Sequence, residues 1–293
     1  MPGSEAEAPE LPGELKYLEL VHDFENRVDR GPLSGKEVLI YSPSKTGTVS
    51  LYHGLGLYFQ KLEGWKSYVP KLLHNHSNRE LIACLDRRPE VSLGWETARC
   101  VVSDLIAYKR CKGDRIRIVS SFRDPVHRAL STLYDALHNK LIRDREINTD
   151  DVTVDLCQEM INRILIYQNH TKHPLEDVEA NFFQKHEFSY LEHYCHSRAE
   201  HHEILVLTLE ESARWPGIVE LVFGQNGAEF QPRNRAEDKE IARHCHPFIK
   251  QVRLSRNIID QVYYSGNGGK YAAWHYSEAV LEGFYKRALN TFV

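Results

Sequence analysis

No CxxC pair and no closely spaced cysteine set occurs in the chain: Cys84, Cys100, Cys111, Cys157, Cys195 and Cys245 are scattered over its length. That spacing excludes the dense disulfide framework of small secreted domains and fits a compartment in which thiols stay reduced. No charge of one sign dominates either. Lys and Arg number 37 against 41 Asp and Glu, a formal net charge of -4, so no global basic field argues for a nucleic-acid partner, which leaves room for a local basic cleft that takes a polyanionic cofactor. No uninterrupted apolar stretch reaches membrane-spanning length, and the first thirty-odd residues are acidic with Pro and Gly rather than basic and then apolar. The expectation is a soluble, cytoplasmic protein with no membrane partner. Internal repeats are lacking too, and low complexity is confined to the first twelve residues.

What is present is an alternation of buried-type strands and helices. Residues 1–12 read as a disordered tail and 14–31 as a short amphipathic helix stopped by Gly31-Pro32, so 1–35 is set apart from a single domain over 36–293. "EVLIYSP" carries Val38, Leu39 and Ile40 as an unbroken apolar run, the pattern of a parallel strand covered on both faces. A helix follows the Gly47 turn. "SYVPKLLHNHS" suggests a second strand, "RIRIVSSF" (115–122) a third, and "HHEILVLTLEE" (201–211) a fourth, while "DPVHRALSTLYDALHNKL" opens a helix with Pro125 in its first turn. The fold class expected is α/β, a central parallel β-sheet flanked by helices. Residues of about 140–200 read as a polar, largely helical insertion, with "VDLCQEMINRILIYQ" its best amphipathic stretch. The C-terminus reads as a Gly-rich loop, "SGNGGKYAAWHYS", followed by a helix capped by Ser277 that buries Val280, Leu281 and Phe284.

The segment "YSPSKTGTVSL" (41–51) sits at the strand-to-helix junction. A turn there aims backbone N–H groups at an anion; a Lys adds a point charge and hydroxyls add donors. The loop of ATPases and GTPases places its Lys after the last Gly, as GxxxxGK[ST], whereas Lys45 precedes Gly47 and the first Gly is missing. A plain helix cap with a solvated Lys is the unremarkable alternative.

The order Ser-Lys-Thr-Gly-Thr resembles the 5′-phosphosulfate loop of sulfotransferases that use 3′-phosphoadenosine 5′-phosphosulfate (PAPS). The resemblance implies that Lys45 sits at the bridging oxygen of the phosphosulfate, with Ser44, Thr46, Gly47, Thr48 and Val49 forming the cradle. "SSFRDPVHRALSTLYDAL" is similar to the 3′-phosphate motif of the same family, which assigns Arg123 and Ser131 to that phosphate. Arg128, in the first turn of the helix, is expected to be solvated or to pair with Asp124. "GGKYAAWHYSEAVLEGFYKRAL" looks like the closing segment of bacterial and carbohydrate-type members, with Lys270 and Tyr271 covering the nucleotide; packing of these aromatics on the core is the alternative. The implied architecture is the P-loop-like sulfotransferase fold, with PAPS as co-substrate, 3′-phosphoadenosine 5′-phosphate (PAP) as product and no metal.

Sulfuryl transfer needs in-line attack, charge stabilisation at the leaving oxygen and a base for the acceptor proton. Family members place a Glu or His at or after the next strand, which implies His76, then His74, with Glu96 as the remaining candidate base. "HYCHSRAEHH" (193–202) has His at i,i+3 and no HExxH, so a polar helix end is expected there rather than a zinc site. The aromatics Tyr52, Tyr58, Phe59, Trp65 and Trp95 suit either an acceptor-stacking mouth or the core, with core the expectation for most. The acceptor implied is a saccharide or another small hydroxylated metabolite. Two readings compete with it, a P-loop kinase or NTPase and a nucleotide-binding scaffold without turnover.

Overall fold

The computed structural model describes residues 38–62, 71–73, 116–138, 148–200, 202–224, 226–231 and 240–292. Its centre is a five-stranded sheet built from β1 (Val38–Tyr41), β2 (Lys71–Leu73), β3 (Ile116–Phe122), β4 (Tyr194–Arg198) and β5 (His202–Thr208), in the order β2-β1-β3-β5-β4. The first four in that order run parallel, and β4 pairs antiparallel with β5. The sheet is therefore mixed, with one antiparallel edge on the parallel sheet expected from sequence. β4 also replaces the expected helix end at 193–202: Cys195 and Ser197 point inward while His196 and Arg198 point out, the period-two pattern of a half-covered edge strand.

Side chains alternate between two apolar layers. Leu39, Tyr41, Ile118, Phe122, Ile204 and Val206 enter one layer, and Val38, Ile40, Val119, Leu205 and Leu207 enter the other. The unbroken apolar runs follow from this, since both faces of the central strands are covered. The second layer is closed by α1 (Thr48–Leu62), through Leu51, Leu55, Tyr58 and Phe59, and by a helix at Trp215–Phe223. Tyr58 and Phe59 are thus core; Trp65 and Trp95 lie outside the described residues.

The first layer is closed by α2 (Pro125–His138), α3 (Val154–His170) and the C-terminal helices. Thr153 caps α3, accepting from the Leu156 N–H at 3.2 Å. "SGNGGKYAAWH", expected as a loop, forms a helix over Gly266–His275. Its glycines serve close approach rather than looping: a Cβ on Gly269 would lie 2.9 Å from the backbone of Tyr263 and Tyr264 in the preceding helix, Arg256–Tyr264. In the last helix, Glu278–Phe292, Leu281, Phe284 and Ala288 are buried while Val280 is 43% exposed, which corrects the expected stripe. The tail and helix expected over 1–31 lie outside the described residues.

Candidate functional site

Leaving β1, the chain turns through Ser42-Pro43-Ser44-Lys45-Thr46-Gly47 into α1. The turn is pinned from β3. The Ser121 N–H donates to Ser42 Oγ at 2.8 Å, and the Ser121 hydroxyl lies 2.8 Å from the Thr46 carbonyl oxygen and 2.9 Å from Thr46 Oγ1. Thr46 in turn donates to the Pro43 carbonyl at 2.8 Å. Ser42, Ser44, Thr46, Thr48 and Ser121 are all buried, and the hydroxyls of Ser42, Thr46 and Ser121 hold the turn in shape. Val49 enters the first turn of α1. The N–H groups of such a first turn have no acceptor within the helix and face the loop.

Two residues of the turn take the left-handed backbone region, Lys45 with φ 66° and Gly47 with φ 86°. For Lys this costs about 1–2 kcal/mol, strain of the kind found where a loop holds a side chain in a fixed position. Gly47 has no substitute: a Cβ there would sit 2.7 Å from Leu209 Cδ1 and 2.8 Å from the Trp215 ring, and that ring is anchored by its N–H to the Thr208 carbonyl at 2.9 Å.

α2 supplies the other wall. Asp124 caps it, accepting from the His127 N–H at 2.7 Å, and the Tyr263 hydroxyl donates to the second carboxylate oxygen at 2.6 Å. The Asp124 N–H donates to Glu210 at 2.9 Å, and the Tyr276 hydroxyl donates to the same carboxylate at 2.5 Å. Burial pushes the Glu210 carboxyl up, and burial beside these two acids pushes both tyrosines up, so the phenols keep their protons and act as donors.

Onto this frame fall the residues singled out from sequence. The Lys45 ammonium is 2.7 Å from Asp135 Oδ2, both side chains being partly exposed. Ser131 stands one turn before Asp135 on the same face of α2. Arg123, at the mouth of α2, reaches the Lys45 carbonyl with a long 3.5 Å contact. Lys45 and Arg123 therefore meet at the turn, and Ser131 lies one helical turn from the carboxylate that Lys45 holds. Arg128 is neither solvated nor paired with Asp124: it is buried and its Nε donates to the Ser44 carbonyl at 3.1 Å.

The C-terminal candidates divide. Tyr271 is buried and lines a cleft with Pro43, Phe122, Pro125, Arg128 and His173, placing it beside the loop. Its hydroxyl donates to Glu176 at 3.0 Å and accepts from the His173 N–H at 3.0 Å. Lys270 is committed to Glu176 at 2.6 Å and does not touch the loop. The candidate bases His74, His76 and Glu96 lie outside the described residues. Of the histidines at 193–202, His196 pairs with Glu203 at 3.0 Å, His202 with Glu179 at 3.3 Å and His193 with Glu211 at 3.7 Å. Among the described residues no cluster of three or more His, Cys, Asp and Glu is arranged to hold a metal ion, and no helix is long and apolar enough to cross a membrane.

Asp135, the pinning serines and the buried position of Arg128 were not anticipated. Only Asp135 carried a readable signal, its four-residue spacing from Ser131. Comparison of the chain with protein-family models, with curated proteins and with solved structures finds no match in any of the three.

Proposed function

We propose that the protein is a sulfotransferase of P-loop-like architecture that moves a sulfuryl group from PAPS to a hydroxyl or amine of an acceptor, a saccharide or another small hydroxylated metabolite, releasing PAP. The observation that supports the reading is that Lys45 and Arg123 meet at a strained anion-type turn, with Ser131 on the helix face of Asp135, the carboxylate that Lys45 holds. In the reaction the acceptor oxygen or nitrogen forms the new bond to sulfur, the bond from sulfur to the bridging oxygen breaks, and the acceptor proton passes to a base. Charge grows on the bridging oxygen, and Lys45 is the cation that would meet it. Arg123 and Ser131 fit the terminal phosphate on the 3′ side, where a guanidinium and a hydroxyl make charge-assisted contacts.

The chain fits such a polyanion because the carboxylate of Asp135 already occupies a position where Lys45 accepts an anionic oxygen as partner. Binding would exchange Asp135 for the phosphosulfate. The same ion pair favours a second reading, a nucleotide-binding protein without turnover, in which Lys45 stays neutralised. A cytoplasmic location belongs to the proposal as well, supported by the buried free thiols of Cys157, Cys195 and Cys245.

The test is calorimetric titration with PAP without Mg²⁺, beside ATP with Mg²⁺. Binding of PAP alone, weakened in Arg123→Ala by about 2–5 kcal/mol as for one lost partner of a buried charged contact, is expected. Mg²⁺-dependent ATP binding with none of PAP would overturn the reading in favour of a kinase or NTPase.

A further inference from the structure

Three strand ends meet at the site. In a sheet of order β2-β1-β3-β5-β4 the chain order reverses between β1 and β3, and ligands of such sheets bind outside the C-terminal ends of the strands at that point. β1 leads into the turn that carries Lys45, and β3 ends one residue before Arg123. β5 ends at Thr208 and is followed by Leu209 and Glu210. Leu209 packs on Gly47 of the turn. Glu210 has no part in the sulfuryl chemistry as described so far.

The peptide between Arg123 and Asp124 lies in the gap between two regular elements. β3 stops at Phe122 and α2 starts at Pro125, so the Asp124 N–H has a partner neither in the ladder nor within the helix. A backbone N–H left over at such a junction needs an acceptor from elsewhere. Glu210 supplies it, with Oε1 2.9 Å from the Asp124 nitrogen. The second oxygen of that carboxylate accepts the Tyr276 hydroxyl at 2.5 Å. Tyr276 is 6% exposed, its ring packed against Phe122 and Phe284, so Glu210 is fixed from behind by a side chain set in the core.

The carboxylate of Asp124 is committed as well. Its Oδ1 accepts the His127 N–H at 2.7 Å and its Oδ2 the Tyr263 hydroxyl at 2.6 Å. With both acids engaged, neither pairs with Arg123. Among the described residues the guanidinium of Arg123 makes one hydrogen bond, the long one of 3.5 Å to the Lys45 carbonyl. Arg123 is thus a cation without a carboxylate, carried on a peptide that Glu210 grips.

We propose that Glu210, held by Tyr276, is the positioning residue for Arg123 and so sets the preference of the site for a nucleotide with a terminal phosphate on its 3′ side. The inference rests on the sulfuryl reading for the identity of the ligand. Glu210 acts through the peptide between Arg123 and Asp124, not by touching the nucleotide. Its charge works in the opposite direction, since a carboxylate close to an anion site weakens anion binding. Position and charge therefore predict opposite signs for the loss of this side chain.

The test is calorimetric titration of the full chain, without Mg²⁺, with PAP and with adenosine 5′-phosphate, which lacks the 3′-phosphate. The ratio of the two affinities reads the contact of Arg123, and the wild type is expected to prefer PAP. Glu210→Ala should cut that ratio by about tenfold, the scale of one hydrogen bond to a charged group, through weaker PAP binding with adenosine 5′-phosphate unchanged. Glu210→Gln keeps an acceptor for the Asp124 N–H and should hold the ratio at or above the wild-type value. Tyr276→Phe removes one hydroxyl and leaves Glu210 in place; it should lower the ratio by less than Glu210→Ala does, and it decides the matter if Glu210→Ala does not fold. Tighter PAP binding in both Glu210 variants would show charge alone at work and overturn the proposal, as would a fall in Glu210→Gln as large as in Glu210→Ala. An unchanged ratio in Glu210→Ala and Tyr276→Phe beside a ratio lost in Arg123→Ala overturns it too, and leaves the sulfuryl reading standing. Absence of PAP binding by the wild-type chain overturns that reading and this inference with it.

Discussion

The ammonium of Lys45 lies 2.7 Å from the carboxylate of Asp135, so the cation of the strained turn is held by the helix that forms the opposite wall. Any anion bound in the turn competes with that carboxylate. Asp135→Asn should therefore tighten PAP binding about fivefold, the equivalent of about 1 kcal/mol for a partly exposed ion pair. Lys45→Ala should lower turnover by on the order of a hundredfold or more, the scale for one lost transition-state donor. Weaker PAP binding in Asp135→Asn would mean that Asp135 positions Lys45 instead of competing for it.

The turn itself rests on one backbone geometry. Gly47→Ala combines a left-handed φ of 86° with a Cβ 2.7 Å from Leu209 and 2.8 Å from Trp215. Leu209 can rotate away, but Trp215 is 1% exposed and tethered. A loss of about 3 kcal/mol in urea unfolding is expected from strain and overpacking together, accompanied by loss of PAP binding. A variant as stable as the wild type would remove the steric account.

Two adjacent serines of β3 offer an internal control. Ser121 contacts both Thr46 and Ser42, whereas the Ser120 hydroxyl is buried without a partner. Ser121→Ala should cost about 1–3 kcal/mol, because the Thr46 carbonyl loses its donor in a dry site, while Ser120→Ala should be close to neutral. PAP affinity should fall only for Ser121→Ala. Equal effects of the two substitutions in denaturant titrations would deny Ser121 a special part in shaping the turn.

Why these features were unevenly legible follows from how each signal is written. β1, β3 and β5 announce themselves because both faces are covered and the apolar runs are unbroken, and α2 does so through Pro125 and its apolar face. β4 hides because an edge strand with outward His196 and Arg198 has the composition of a polar loop. The helix at Gly266–His275 hides because its glycines, which local propensity reads as a breaker, are used for contact with the preceding helix. In the site, Lys45, Arg123 and Ser131 were legible as motif positions. The clamp by Asp135 and the buried contact of Arg128 with the Ser44 carbonyl depend on which side chains meet across the fold, and no local spacing encodes that.

Acid should expose the buried histidines. His275 is 1% exposed, stacked on Phe122 with ring centres 4.0 Å apart, and burial pushes its pKa down to about 3. His173 is lowered well below the ordinary value by burial first, then by the His275 ring and the Arg128 charge. Both folded values lie below the unfolded value of about 6.5, so between the two the unfolded chain binds more protons. Their contribution to stability is complete above about pH 6.5 and declines as pH falls, for His275 down to about 3, with a slope of up to about 1.4 kcal/mol per pH unit for each ring. His275→Phe keeps the stacked aromatic and removes one titration. Urea unfolding at pH 7, 5 and 4 should then show a shallower acid loss in the variant, by up to about that slope, since the carboxylates are common to both proteins. Parallel profiles for the two proteins would mean that His275 is protonated in the folded state and that its buried, neutral assignment is wrong.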